Sequence, residues 1–301
     1  MRKQLKQLFY QLPLVRSIVK TYVTAYPPGH YYSPIVSEDD ILLQHKNLFD
    51  RSYKSIDGIE LNEDKQLNLL SEFGTILDNF PFRKLNISVE GWSFKRKNGY
   101  FEQADAAILY AFIHKFKPKK IIEVGSGHSS ALMLDINEKQ FNKEIRLTFI
   151  EPFPDRLNAL IEKGKMAAKT ILKPVQQVDY SVFSTLQSGD FLFIDSSHVS
   201  KTGSDLNYLL FNIIPQLTSG VIIHFHDIFY PFEYPEYWVR NWFKGFGWNE
   251  IYLLRAFLMN NPKYEIMYFN SFMGTFHSKK IEHIIPEYPV NSGGSIWLKK
   301  L

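Results

Sequence analysis

Residues 120–130, Lys-Ile-Ile-Glu-Val-Gly-Ser-Gly-His-Ser-Ser, decide the fold of this 301-residue chain. The run from Lys120 to Val124 is rich in β-branched residues and predicts a buried strand, and the pattern from Ser129 to Lys139 predicts a helix. Gly125 and Gly127 between them let the backbone turn sharply and approach a ligand closely. A strand, a glycine-rich turn and a helix in this order suggest a nucleoside site. The third glycine of the dinucleotide fingerprint is absent, since position 130 is serine.

The chain beyond this turn alternates short β-rich runs with helical patterns, which predicts a parallel sheet with right-handed crossovers. We therefore expect a Rossmann-like α/β domain over residues 100–301. Residues 1–99 are expected to form an N-terminal extension of helices and a loop, acting as a lid or a dimer contact. Further strands are predicted at 146–151, 170–172, 191–195, 220–225, 264–270 and 295–299, and helices at 37–50, 62–80, 154–165, 204–217 and 235–260.

Composition excludes several classes of protein. The formal charge of +4, from 35 Lys and Arg against 31 Asp and Glu, is too small to indicate nucleic-acid binding. The absence of cysteine excludes disulfides, zinc–thiolate sites, iron–sulfur clusters and thiol nucleophiles. No apolar run has the length of about 20 residues that a membrane span needs. A chain without cysteine fits a reducing compartment, so a cytoplasmic location is expected.

Residues 1–23 are basic and amphipathic, with no continuous apolar centre and no cleavage site of the kind that a signal peptide has. We expect a helix that packs on the body of the protein or on a second subunit, which makes a homo-oligomer one expectation. The alternative is a helix lying on an anionic membrane surface.

An acid follows the glycine-rich turn at the distance that nucleoside binding requires. The second strand ends at Ile150-Glu151, about 25 residues after the turn, and a carboxylate there can accept hydrogen bonds from both ribose hydroxyls. The alternative is an unrelated acid at a strand end beside an ordinary tight turn.

A second group of ionisable residues ends the next two strands. Asp195 and His198 follow one strand, and His226 and Asp227 end the other. Because neighbouring parallel strands bring their carboxyl ends to one edge of the sheet, these catalytic candidates are expected to meet there. One interpretation is a divalent cation held by Asp195, His226 and Asp227, and the cation would be magnesium, manganese, iron or zinc. Another is a metal-free site in which His198 or His226 is the general base, and a third is a purely structural cluster.

These motifs together resemble the class I S-adenosylmethionine-dependent methyltransferases. The pattern of an Asp, a His three residues later, an Asp in the following helix and a strand ending in His-Asp is similar to methyltransferase family 24. It is matched here by Asp195, His198, Asp205 and His226-Asp227. Longer runs at 30–34, 101–109, 201–205 and 226–232 resemble an uncharacterised bacterial subgroup of that branch.

The resemblance implies a seven-stranded, mostly parallel sheet with helices on both faces, and S-adenosylmethionine as cofactor. It implies that the glycine-rich turn borders the methionine part of the cofactor, Glu151 the ribose and Asp179 the adenine. It also implies a metal at acids like Asp195 and Asp227, although His226 stands where related enzymes often have an acid. The full set of cofactor-binding residues expected is Glu123, Gly125, Ser126, Gly127, Glu151, Asp179 and Asp195.

The function expected from the resemblance is methylation of a hydroxyl on a small-molecule or carbohydrate-like acceptor. Aromatic residues in two loops rich in proline, Tyr31, Tyr32 and Tyr230, are predicted to contact this substrate. Two alternatives stay open. One is an oxidoreductase, either a metal-dependent oxidising relative of the same fold or an NAD-dependent dehydrogenase. The other is a catalytically silent binding protein.

Overall fold

The structure is a computed structural model, and it describes residues 26, 29–83, 88–101, 103–161, 168–242, 247–285 and 292–301. The expected amphipathic helix over residues 1–23 lies outside this range. None of the helices in the described part of the chain has the length and apolar character that crossing a bilayer requires.

Seven strands form one sheet, in the order β3-β2-β1-β4-β5-β7-β6. The first five strands run parallel, and β7 lies antiparallel between β5 and β6. This confirms the predicted Rossmann-like, mostly parallel sheet. The strands are β1 (Lys120–Val124), β2 (Arg146–Ile150), β3 (Ala168–Ile171), β4 (Phe191–Ile194), β5 (Ile222–His226), β6 (Tyr264–Phe269) and β7 (Ser295–Lys300).

The helices that surround and connect these strands vary greatly in length. They are α1 (Glu38–Leu48), α2 (Glu63–Leu77), α3 (Gln103–Phe116), α4 (His128–Gln140), α5 (Asp155–Leu160), α6 (Tyr180–Phe183), α7 (Asp205–Tyr208), α8 (Glu250–Leu258) and α9 (Asn270–Ile284). A π-helical turn, Leu209–Ile213, and a 3₁₀ turn, Ile214–Gln216, continue the chain after α7.

The core lies on both faces of the central strands. Every residue of β4 and β5 is buried, as expected for strands covered by helices on each side. On one face the Phe112 ring of α3 stacks on Trp297 of β7, with centroids 3.9 Å apart. Burial of these rings fixes α3 against the sheet.

The chain divides into two compact units, one made of Met1–Asp50 with Pro235–Gly247, and the other of Arg51–Tyr234 with Trp248–Leu301. Part of the expected N-terminal extension therefore belongs to the larger unit. In that unit the buried Gln66 of α2 accepts a hydrogen bond from the Phe269 amide at the end of β6, at 2.8 Å.

In the smaller unit, α1 begins at the predicted cap, where the Ser37 hydroxyl accepts a hydrogen bond from the Asp40 amide. Arg240 forms ion pairs with Glu38 and Glu236, at 3.2 and 3.0 Å.

The region after β5 differs most from the prediction. The long helix expected over 235–260 is replaced by a π-helical turn, Trp238–Trp242, and by the short helix α8. Gly247 has a φ of +63°, which a continuous helix does not allow. Helix α9 was not predicted, because its apolar residues lack a regular spacing and its backbone is kinked at His277.

The turn after β1 lies directly against the end of β4. Gly125 has a φ of +83°, and a Cβ atom there would lie 1.8 Å from the carbonyl oxygen of Asp195. The Gly125 amide donates to Ile150 O of β2, and the Asp195 amide donates to Val124 O of β1. The three strands therefore end at one point that has space only for glycine.

We expect Gly125→Ala to lower the free energy of unfolding by about 3 kcal/mol or more, because the methyl group collides with backbone that cannot move. Gly189→Ala is the matched control, since Gly189 has a φ of +87° but open space around its Cβ position. Its cost is about 1 kcal/mol, from backbone strain alone. Urea unfolding of both variants checks this, and equal losses would show that the contact with Asp195 is unimportant.

Candidate active site

A cleft of about 730 Å³ opens at the carboxyl ends of β1, β2, β4 and β5. The glycine-rich turn and Glu151 line this cleft, and so does the second group of ionisable residues, Asp195, His198, His226 and Asp227. Its walls include Tyr100, Phe101, Gly125, Ser126, Gly127, His128, Glu151, Arg156, Asp195, His198, Lys201, Asp205, His226, Asp227 and Trp248.

Glu151 is held rigidly at the mouth of the glycine-rich turn. One carboxylate oxygen accepts from the Ser126 amide at 3.0 Å, and the other accepts from the Phe153 amide at 2.7 Å. A carboxylate oxygen has lone pairs for more than one hydrogen bond. Glu151 can therefore still accept hydrogen bonds from a ligand in the cleft.

Glu123 lies beneath the turn and does not line the cleft. It is fully buried, and it accepts hydrogen bonds from the hydroxyls of Ser129 and Ser130 at the start of α4. The Ser130 hydroxyl in turn accepts from the Gly127 amide at 2.9 Å. Burial raises the pKa of Glu123 to about 8. The structure thus gives Glu123 the role of holding the turn, in place of the cofactor contact expected from the sequence.

His198 is the centre of the second set. Its Nδ1 atom lies 2.6 Å from Glu250 Oε2, and its Nε2 atom lies 3.4 Å from Asp195 and 3.6 Å from Asp227. His198 and Asp227 both have positive φ angles, of 59° and 57°. Such strain in residues other than glycine is typical of functional sites.

The charges of this cluster shift the pKa of each member. Burial opposes protonation of His198, but the carboxylates of Asp195 and Glu250 outweigh it and raise its pKa well above the ordinary value. Burial raises the pKa of Asp227 to about 6, although His226 and His198 act against this. At neutral pH the site therefore holds a proton on the imidazole of His198.

The same balance acts on Asp195 and His226. Burial alone would raise the pKa of Asp195, but the positive charges of His226 and His198 lower it. Burial disfavours the charged form of His226, and Asp227 and Asp195 nonetheless raise its pKa to about 9. Each group is thus charged because its neighbours carry the opposite charge.

The metal-ligand set expected from the sequence, Asp195, His226 and Asp227, stays a prediction. The group whose ligand atoms all lie within 4.8 Å of one another is Asp195, His198 and Asp227. His226 is not part of that group, although it lines the same cleft, with Nε2 3.6 Å from Asp227 Oδ1 and 3.4 Å from Tyr100 O.

Asp179 and Tyr230, two further predicted residues, lie away from the cleft wall. Asp179 is exposed and caps α6, where it accepts from the Ser181 amide at 2.8 Å. Tyr230 is 1% exposed, and its hydroxyl donates to the carbonyl of Tyr53. Tyr230 therefore packs in the core and does not line the cleft where a substrate contact was expected.

Tyr31 and Tyr32 belong to the smaller unit and are exposed, with ring centroids 4.1 Å apart. Their predicted contact with substrate stays a prediction.

Three residues of the site were missed in the sequence. Glu250 lies outside the recognised motifs, and no spacing connects it with His198. Trp248 packs on the His198 ring at 4.2 Å, and the Arg156 guanidinium lies 4.4 Å from the centre of the Tyr100 ring. The position of Arg156 could in part be expected from the sequence, because Arg156 lies only five positions after Glu151.

Residues 122–228 match the family model described as a methyltransferase domain. An uncharacterized protein of Archaeoglobus fulgidus is 36% identical over 166 residues, which are 54% of this chain and 74% of the relative. This segment of the chain, residues 122–228, belongs to the methyltransferase-domain family. The crystal structure of the SAH-bound Podospora anserina methyltransferase PaMTH1 aligns with 93% of this chain and 100% of that chain, at 15% identity and a TM-score of 0.42.

The matched part of this methyltransferase runs from β1 to just beyond β5. It contains the glycine-rich turn, Glu151, Asp195, His198 and Asp227, whereas Glu250 lies beyond it. Since the relative is archaeal, membership of the bacterial subgroup stays a prediction.

The stability of the methyltransferase is expected to depend on the protonation of Glu123. A carboxyl group whose pKa is about 8 when folded and 4.5 when unfolded binds more protons in the folded state. The free energy of unfolding therefore decreases as pH rises from about 5 to 8. Glu123→Gln should make the protein less sensitive to pH in this window and more stable than wild type at pH about 9, as measured by urea unfolding. An unchanged pH dependence in the variant would show that Glu123 is ionised throughout.

Proposed function

We propose that this protein transfers the methyl group of S-adenosylmethionine to a hydroxyl of a small-molecule or carbohydrate-like acceptor. The observation that carries the proposal is the single cleft, which has the glycine-rich turn and Glu151 in one part and the His198 cluster in the other. A methyl donor and its acceptor must lie side by side, and this cleft has polar groups for both.

The cofactor is assigned to the part of the cleft beside β1 and β2. Its methionine end would lie against Gly125, Ser126 and Gly127, where a side chain at 125 has no space. Its ribose hydroxyls would donate to Glu151, the acid held by two backbone amides. This assignment is supported by the family match and by the fixed position of the Glu151 carboxylate.

The reaction needs little covalent assistance from the protein. The acceptor oxygen attacks the methyl carbon, the carbon–sulfur bond breaks, and S-adenosylhomocysteine leaves as the neutral thioether. The protein must hold the oxygen in line with the methyl group, take the hydroxyl proton and exclude water.

His198 Nε2 is the base we assign, because it lines the cleft while Nδ1 is occupied by Glu250. The ring accepts a proton only when it is neutral. Because its pKa is raised well above the ordinary value, turnover is expected to increase with pH from neutral to alkaline conditions.

The donor atoms of Asp195, His198 and Asp227 also fit a divalent cation. Two carboxylates and one imidazole suit manganese or iron better than magnesium, which prefers oxygen ligands alone. A cation held there would occupy His198 Nε2, so His198 would then be a ligand and not the base. The cation would itself lower the pKa of the acceptor hydroxyl and orient it.

The acceptor class is supported by the character of the outer cleft wall. Trp248 lines the same cleft as the carboxylates of Asp195 and Asp227, and Lys201 adds a cation. An aromatic face together with carboxylates is suited to a polyhydroxylated ligand.

The observations favour transfer over NAD-dependent oxidation. Ser130 stands at the third glycine position of the dinucleotide fingerprint, and it is buried and bonded to Glu123. The chain therefore lacks the third glycine, which in that fingerprint allows the helix to pack closely on the strand. A metal-dependent oxidising activity would use the same three donor groups, and assays with and without S-adenosylmethionine separate it from methyl transfer.

Two variants divide the proposed roles. Glu151→Ala should weaken S-adenosylhomocysteine binding about 10- to 100-fold, as expected for loss of hydrogen bonds to a charged group. His198→Ala should leave that affinity within about 3-fold while reducing methyl transfer by about 100-fold or more. Calorimetry gives the affinities. Transfer of a labelled methyl group to a panel of sugars, sugar nucleotides and phenols gives the activity.

The controls are Glu144→Ala and His283→Ala, which replace the same residue types at exposed positions away from the cleft. The same assay after EDTA treatment, with and without added Mn²⁺, tests the cation. Full turnover in His198→Ala would show that His198 is not the base. Binding of NAD without binding of S-adenosylhomocysteine would contradict the whole proposal.

A further inference from the structure

Glu250 is a buried acid to which the recognised motifs assign no role. It is the first residue of α8, it is 1% exposed, and it lies beyond the matched methyltransferase domain. Its Oε2 atom lies 2.6 Å from His198 Nδ1, and its Oε1 atom has no hydrogen-bond partner among the described residues. A buried carboxylate is costly unless it is paired. The imidazole of His198 is thus the group that Glu250 is placed to contact.

The start of α8 also holds the backbone of His198. The amides of Asn249 and Glu250 both donate to the carbonyl oxygen of His198, at 3.1 and 3.2 Å. The Asn249 side chain accepts from the Ser200 amide and donates to the Ser200 carbonyl. The loop after β4, including the strained His198, is therefore fixed by the first turn of one helix.

The position of the ring follows from these contacts. With Nδ1 donating its proton to Glu250, the neutral ring has its free lone pair on Nε2, which lies 3.4 Å from Asp195 and 3.6 Å from Asp227. Trp248 covers the ring with its indole, at a centroid distance of 4.2 Å. If Nδ1 instead carried the lone pair, the ring would present a donor to the cleft.

We propose that Glu250 is a positioning residue that fixes the tautomer and orientation of His198, so that the Nε2 lone pair faces the cleft. The consequence for turnover rests on the proposed function. The tautomer itself does not, because it is set by contacts within the unliganded protein. A carboxylate that orients a histidine through its other nitrogen acts on catalysis without touching substrate.

The test compares Glu250→Met, which keeps the length of the side chain without an acceptor, with Glu250→Gln, which keeps an acceptor oxygen. Protein labelled with ¹⁵N-histidine is examined by NMR at a pH where the His198 ring is neutral, with His198→Ala used to assign its signals. We expect wild type and Glu250→Gln to show His198 with Nδ1 protonated and Nε2 unprotonated. In Glu250→Met we expect a mixture of tautomers.

Methyl transfer supplies the second readout. Turnover should fall about 100-fold in Glu250→Met and about 10-fold or less in Glu250→Gln, whereas KM for the acceptor and affinity for S-adenosylhomocysteine stay within about 3-fold. The matched control is Glu63→Met. Glu63 also begins a helix and lies 2.7 Å from a histidine nitrogen, that of His277, but it does not line the cleft.

If the wild-type spectrum shows His198 with its proton on Nε2, the inference is overturned. This result needs no variant, so the test remains decisive even if Glu250→Met fails to fold. So would a folded Glu250→Met protein with the wild-type tautomer and turnover within 2-fold. If wild type transfers no methyl group to any acceptor but shows the Nδ1-protonated ring, the proposed function fails and the positioning role of Glu250 stands.

Discussion

The contact between Gly125 and the carbonyl oxygen of Asp195 is the constraint on which the site depends. It brings the turn after β1 against the end of β4 with no space for a side chain between them. The glycine-rich turn, to which we assign the cofactor, and the strand that leads to Asp195 therefore end side by side. A cofactor bound on this turn, as proposed, would have its reactive end beside the His198 cluster.

The His198 cluster concentrates charge at the carboxyl ends of β4 and β5, where His198, His226 and Glu250 are buried. Three acids, Asp195, Asp227 and Glu250, surround one imidazole, and His226 adds a second positive charge behind them. Burial of so many ionisable groups lowers stability unless each has a partner of opposite charge. The protein tolerates this cost at the carboxyl ends of β4 and β5, where open α/β sheets bind their ligands.

Much of the fold could be predicted because its signals are local. Buried parallel strands such as β4 are continuous apolar runs, and Gly125 and Glu151 follow their strands at characteristic positions. Helix α9 and the short α8 were not predictable in the same way, because tertiary packing and the turn at Gly247 decide their bounds. Glu250 lies 52 positions from His198, so only the folded chain reveals the pair. The expected convergence at the end of β5 is seen for His226 and Asp227, which line one cleft with His226 Nε2 3.6 Å from Asp227 Oδ1.

A crystal structure with S-adenosylhomocysteine bound tests the shared cleft most directly. We expect the ribose hydroxyls to contact Glu151 and the sulfur to face the His198 cluster, with space for an acceptor beside Trp248. Product bound at another surface, or with its sulfur directed away from His198 and Asp227, would contradict this expectation.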